Sequence, residues 1–119
     1  MATGLGEFEQ LILLGVLRLG EDAYGVAIRR AIEEATGRNI AAGAVYTTLA
    51  RLENRGFVTS RLGDTAAERS GQRRKYYRVE PEGAVALYRA YAGVQSMADG
   101  IVPDLVSLAG QPGVDKTRR

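Results

Sequence analysis

Two groups of side chains in this chain have the types and spacing to do chemistry. Gly43, Ala44, Tyr46, Thr47, Thr48 and Arg51 lie in one short run, and Arg69, Arg73, Arg74 and Lys75 follow it. The first group pairs small residues, which let a phosphate backbone approach closely, with hydroxyls and a guanidinium that can reach phosphates or base edges. The second is a cluster of cations, and phosphate contacts of that kind dominate nucleic-acid affinity and weaken steeply with salt. Each group has a plainer reading. The first could be a solvated helix face with Tyr46 at the edge of a core, and the second a charged guard on an edge strand. A guard explains one or two cations well and four poorly.

Charge is distributed in the same sense. The 119 residues carry a net charge of only +2, yet residues 1–37 sum to −3, residues 38–78 to +6 and residues 79–119 to −1. Positive charge concentrated in the middle third is the footprint of an anionic partner. The chain has no cysteine and no histidine, which removes disulfides, thiol chemistry and the commonest general base and metal ligand. It has no phosphate-cradling Gly-rich loop with its lysine and no nucleophile elbow, and Glu33 and Glu34 diverge on a helix. No catalytic residue, metal or cofactor is expected. No apolar run approaches the ~20 residues of a membrane helix, so a cytoplasmic protein without membrane contact is expected.

The elements that must position these residues follow from periodicity. Residues 7–18 make an apolar helix, and Leu19 to Asp22 a turn in which Asp22 should cap a second helix over about 23–36. Gly37 ends that helix. The third helix runs from about 42 to 55. Val45, Leu49 and Leu52 give it one buried stripe, with Gly43, Thr47, Ala50, Arg51 and Asn54 opposite. Gly56 stops it. Phe57–Leu62 alternates as a strand, Gly63–Gln72 reads as a loop, and Arg73–Val79 returns antiparallel. Adjacent Tyr76 and Tyr77 point to opposite faces, one toward the core.

Pro81 suits the first turn of a last helix. Within it Leu87, Tyr91, Val94, Ala98, Ile101, Leu105 and Leu108 form a heptad seam, which Gly100 and Pro103 should kink or break. Tyr88, Val102 and Val106 add apolar surface that one small domain would struggle to cover. A homodimer interface is therefore expected from Leu87, Tyr91, Val94, Ala98, Ile101 and Leu105, joined by Phe8 and Leu11 of the first helix. A two-fold dimer would present two recognition helices to a palindromic site.

Tyr24-Gly25, the run from Gly43 to Glu53, Gly56, the run Gly71-Gln72-Arg73-Arg74-Lys75-Tyr76-Tyr77 and Gly83 together resemble the PadR-like transcriptional regulators, over about residues 5–90. The resemblance implies a winged helix-turn-helix repressor, dimeric through its first and last helices and often relieved by a small-molecule effector. It places Tyr46, Thr47 and Arg51 on the recognition helix and Arg73 to Lys75 on the wing. Thr47 stands where many members have proline, and Glu80 where threonine commonly caps the last helix. Relatives that bind flat aromatic drugs use a tryptophan in the dimer interface, and this chain has none.

The expected fold is mostly α with a small β-hairpin: a winged helix-turn-helix domain over residues 5–80, a dimerisation helix over 81–109 and a disordered tail over 110–119. The expected partners are double-stranded DNA and a second copy of the chain. The alternative is an interaction module whose cationic face binds an acidic protein without DNA sequence selectivity.

Overall fold

The computed structural model describes residues 4–66 and 73–110. The expected disordered tail, apart from Gly110, and Arg69 lie outside the described residues. Helix α1 spans Glu7–Leu19, α2 Gly25–Thr36 and α3 Ala42–Asn54; strands β1 (Val58–Ala66) and β2 (Arg73–Val79) form an antiparallel hairpin, and helices α4 (Pro81–Ala98) and α5 (Val102–Ala109) follow.

One core gathers buried side chains from α1 to α4 and from both strands, and none from α5. It contains Ile12, Leu13 and Val16 of α1, Ile28 and Ile32 of α2, Val45, Leu49 and Leu52 of α3, Val58, Tyr77 and Leu87. Gly15 lets α1 and α2 close together: a Cβ there would sit 3.2 Å from Ile28 Cγ2. Glu9 fixes the start of α1 by accepting the Gly6 N–H at 2.8 Å.

Asp22 does not cap α2. It lies in a 3₁₀ turn over Gly20–Asp22, and Tyr24 takes the N-cap position without a side-chain bond. Ala23 and Tyr24 are instead held by the hairpin, Tyr24 in extended conformation. The Tyr77 N–H donates to the Ala23 carbonyl at 2.8 Å, and Tyr24 pairs antiparallel with Tyr76. Strand β2 is thus bonded on both edges, and α2 can begin only after that pairing ends.

Helix α3 ends as expected. The Gly56 N–H bonds the Glu53 carbonyl and the Phe57 N–H the Leu52 carbonyl, with Gly56 at φ +80° in the left-handed region that favours glycine. Strand β1 runs beyond the expected Leu62 into the segment read as loop. Its register shifts between Leu62, opposite Lys75, and Ala66, opposite Arg73. Gly63 is buried there, with Tyr76 Cε1 3.1 Å from where its Cβ would be. Two extra residues are absorbed in that irregular stretch, whose glycine and polar composition resembles a loop's.

Pro81 opens α4. The expected interruption of the last helix is a break at residues 99–101, with Gly100 at φ +84°; Pro103 falls in the first turn of α5, where it costs no hydrogen bond. The first turns of α4 lie close on the hairpin. A Cβ on Gly83 would stand 2.3 Å from the Phe57 carbonyl oxygen, which itself accepts the Glu80 N–H at 2.9 Å. Gly83→Ala should therefore cost at least about 2 kcal/mol in urea unfolding, since backbone rather than a flexible side chain must move.

Candidate nucleic-acid interface

Burial of the α3 stripe decides what its other face presents. Gly43, Ala44, Tyr46, Thr47, Ala50, Arg51 and Asn54 are all exposed. Thr48 is not: only 4% exposed, it belongs to the inward stripe, one turn from Val45 and Leu52. The expectation that Thr48 reaches DNA is corrected on that ground. The N-cap residue Ala41 offers α3 no side-chain cap, which leaves the partial positive charge of the helix N-terminus beside the exposed Gly43.

Two of the exposed side chains are held by neighbours. The Tyr46 ring lies over Gly25, where any Cβ would stand 2.4 Å from its Cε1. Only glycine leaves room for it. The Glu9 carboxylate, whose side chain is 15% exposed, places Oε2 at 3.9 Å from Arg51 and 3.7 Å from Arg55. Arg55 also covers the Phe57 ring, 4.5 Å from its centroid.

On β2 the side chains alternate. Arg73 and Lys75 share a face with Tyr77 and are exposed past the edge of the core, whereas Arg74, Tyr76 and Arg78 take the other face. Arg74 is half-buried, its guanidinium 4.2 Å from the centroid of the Tyr24 ring. Tyr24 meets Tyr76 edge-to-face at 5.6 Å and 67°. Arg61, opposite Tyr76 in the register, lies 4.8 Å above that ring and reaches the Glu21 carboxylate at 3.2 Å. The sequence gives little sign of this row, because Tyr24 approaches β2 only through the turn after α1.

Tyr77 is the core-facing tyrosine. Burial raises its phenol above the ordinary 10.0, and the nearby Glu53 charge and Tyr46 add to the shift. Glu53 is itself fixed by the Ser60 hydroxyl, which donates to it at 2.8 Å. Below about pH 10 the phenol is protonated whether the chain is folded or not, and above it the unfolded chain loses its proton first. The stability difference between wild type and Tyr77→Phe should thus hold below that pH and then shift against wild type, in urea titrations at stepped pH.

The apolar seam divides. Leu87 is corrected from interface to core: it is 6% exposed, drawn in where α4 meets the hairpin. Phe8 and Leu11 are likewise partly buried against the core, and the α1 side chains left outside are Leu14 and Leu17. Tyr91, Val94, Ile101 and Leu105 are exposed, with Val85, Tyr88, Met97, Val102, Val106 and Leu108 around them, while Ala98 is half-buried.

A concavity of about 400 Å³ lies between the end of α1 and the hairpin, lined by Leu17, Glu21, Thr59, Arg61, Tyr76 and Arg78 among others. Among the described residues no three His, Cys, Asp or Glu side chains are grouped to hold a metal, and no helix is long and apolar enough to cross a membrane.

Comparison with known proteins bears on the family and the fold. The model of the transcriptional regulator PadR-like family matches residues 13–89. The structure of a PadR family transcriptional regulator from Eggerthella lenta DSM 2243 is 31% identical, with 83% of this chain and 86% of that one covered at a TM-score of 0.62. A transcriptional regulator from Clostridium thermocellum is 28% identical, with 78% and 87% covered at a TM-score of 0.63. A PadR family regulator from Clostridium difficile R20291, at 23% identity, shares the fold, with 82% and 98% covered at a TM-score of 0.63. No curated protein matches the chain.

Proposed function

The chain belongs to the PadR-like family of transcriptional regulators, which are not enzymes, and we propose that it is a homodimeric repressor acting on an inverted-repeat operator. The observation that carries this reading is the pairing of an exposed, small and polar α3 face with exposed Arg73 and Lys75 on the adjoining hairpin. In this reading α3 enters the major groove. Gly43 and Ala44 let the backbone approach, Tyr46 donates to a phosphate, and Thr47 and Arg51 meet base edges. Arg73 and Lys75 contact flanking phosphates.

The arm beyond Leu87 supplies the assembly element. Tyr91, Val94, Ile101 and Leu105, with Leu14 and Leu17 of α1, leave more apolar surface uncovered than a monomer of this size ordinarily tolerates. A two-fold pairing of such arms sets two copies of α3 on one side of the dimer. Relief by a small molecule belongs to the same reading, with the concavity beside the hairpin as its candidate seat.

Operator fragments selected from genomic DNA test the proposal. Binding should weaken linearly in log–log plots against salt. Arg73→Gln with Lys75→Gln should flatten the slope by about 0.9 per phosphate contact removed. Thr47→Ala or Arg51→Ala should change which bases are preferred more than overall affinity. An unchanged slope would sink the wing assignment, and selection of no particular site would favour an acidic protein partner instead. For the assembly, Val94→Asp with Leu105→Asp should give folded monomers in sedimentation; an intact dimer would refute the arm.

A further inference from the structure

We propose that Tyr24 and Arg74 form a clamp that sets the wing against the recognition helix, so that Arg74 positions the wing instead of contacting phosphate. This rests on the DNA-binding reading above and concerns how its two contact surfaces are held in register.

The segment Ala23-Tyr24-Gly25 touches both surfaces at once. On one side the Ala23 carbonyl accepts the Tyr77 N–H at 2.8 Å and Tyr24 pairs with Tyr76, both on the wing strand. On the other, Gly25 lies under the Tyr46 ring of α3, so close that a Cβ would stand 2.4 Å from that ring. Three consecutive residues therefore join β2 to the Tyr46 side chain of α3.

Side chains extend the strut along the hairpin. Arg74 lies on the Tyr24 ring at 4.2 Å, Tyr24 meets Tyr76 edge-on at 5.6 Å, and Arg61 covers Tyr76 at 4.8 Å. Arg61 is tied in turn to the 3₁₀ turn, 3.2 Å from the Glu21 carboxylate and 3.4 Å from the Glu21 carbonyl oxygen. This row occupies the face of β2 opposite Arg73 and Lys75. Three consecutive cations thus divide by strand parity: two project outward on one face, while the third lies half-buried along an aromatic ring on the other. A planar guanidinium can stack on a ring while still donating at its edge, which a lysine ammonium cannot copy.

The test measures the salt slope of binding to one mixed-sequence DNA duplex, for variants confirmed as folded. A clamp predicts that Tyr24→Leu, which removes no charge, lowers the slope about as much as losing the wing's phosphate contacts, at about 0.9 for each contact. Tyr24→Phe should retain the wild-type slope, because the ring and not the hydroxyl is used. Arg74→Lys should behave like Arg74→Gln, and Lys75→Gln should cost nothing further once Tyr24 is leucine. If Arg74 is instead a phosphate contact, Tyr24→Leu keeps the wild-type slope, Arg74→Lys retains it and Arg74→Gln loses it; that pattern overturns the proposal. A double-mutant cycle of Tyr24→Leu and Arg74→Gln on urea stability, without DNA, separates the two layers. Additive effects would overturn the clamp alone, whereas absence of any duplex binding by the wild-type chain would overturn the DNA reading and the positioning role with it.

Discussion

The inward stripe of α3 is the constraint on which the rest depends. Val45, Thr48, Leu49 and Leu52 are all buried, and a helix with one buried stripe has its opposite face decided for it. Gly43, Thr47, Ala50 and Arg51 point outward because these four point in. The hairpin is tied to the same helix: β1 leaves α3 through the Gly56 turn, and the Ser60 hydroxyl returns to Glu53 on the last turn of α3. The base of the hairpin is therefore fixed to the helix that the core orients.

Legibility in the sequence followed the range of each interaction. Helix α3, its glycine stop, strand β2 and the break at Gly100 were all visible, because a 3.6-residue stripe, a left-handed residue and a two-residue alternation act over a few positions. What was hidden depended on contacts between distant segments. Asp22 looks like a cap until β2 is known to bond Ala23 and pair with Tyr24. Leu87 fits a heptad seam equally well in a partner's interface and in its own core, and only the close approach at Gly83 brings it inward. Thr48 is polar by type, and its place one turn from Val45 and Leu52 outweighed that. For α1, an all-round apolar helix gave no way to tell Phe8 and Leu11, which lie against the core, from Leu14 and Leu17, which do not.

Glycine marks both the ends of elements and the places where elements touch. Gly20, Gly37, Gly56 and Gly100 take positive φ at ends and turns. Gly25, Gly63 and Gly83 instead lie where another residue fills the space of a missing Cβ. The second set joins α2 to Tyr46, β1 to Tyr76 and α4 to Phe57, and two of those three partners are aromatic rings close to the proposed DNA face. Glycine thus admits close packing both beside the proposed DNA face and where α4 meets the start of the hairpin.

Glu9 carries a consequence of its own. Its carboxylate sits near both Arg51 and Arg55 and is largely shielded from water, so the recognition helix carries a built-in counterion. In the proposed complex, a DNA group that took Arg51 would do so by exchange with that fixed acid, whereas Arg73 and Lys75 would exchange with mobile salt. Ionic strength therefore acts unevenly across the surface. In the proposed complex it would govern how firmly the wing holds, and much less how the helix discriminates, so raising salt should shed indiscriminate binding sooner than it blurs the choice of site.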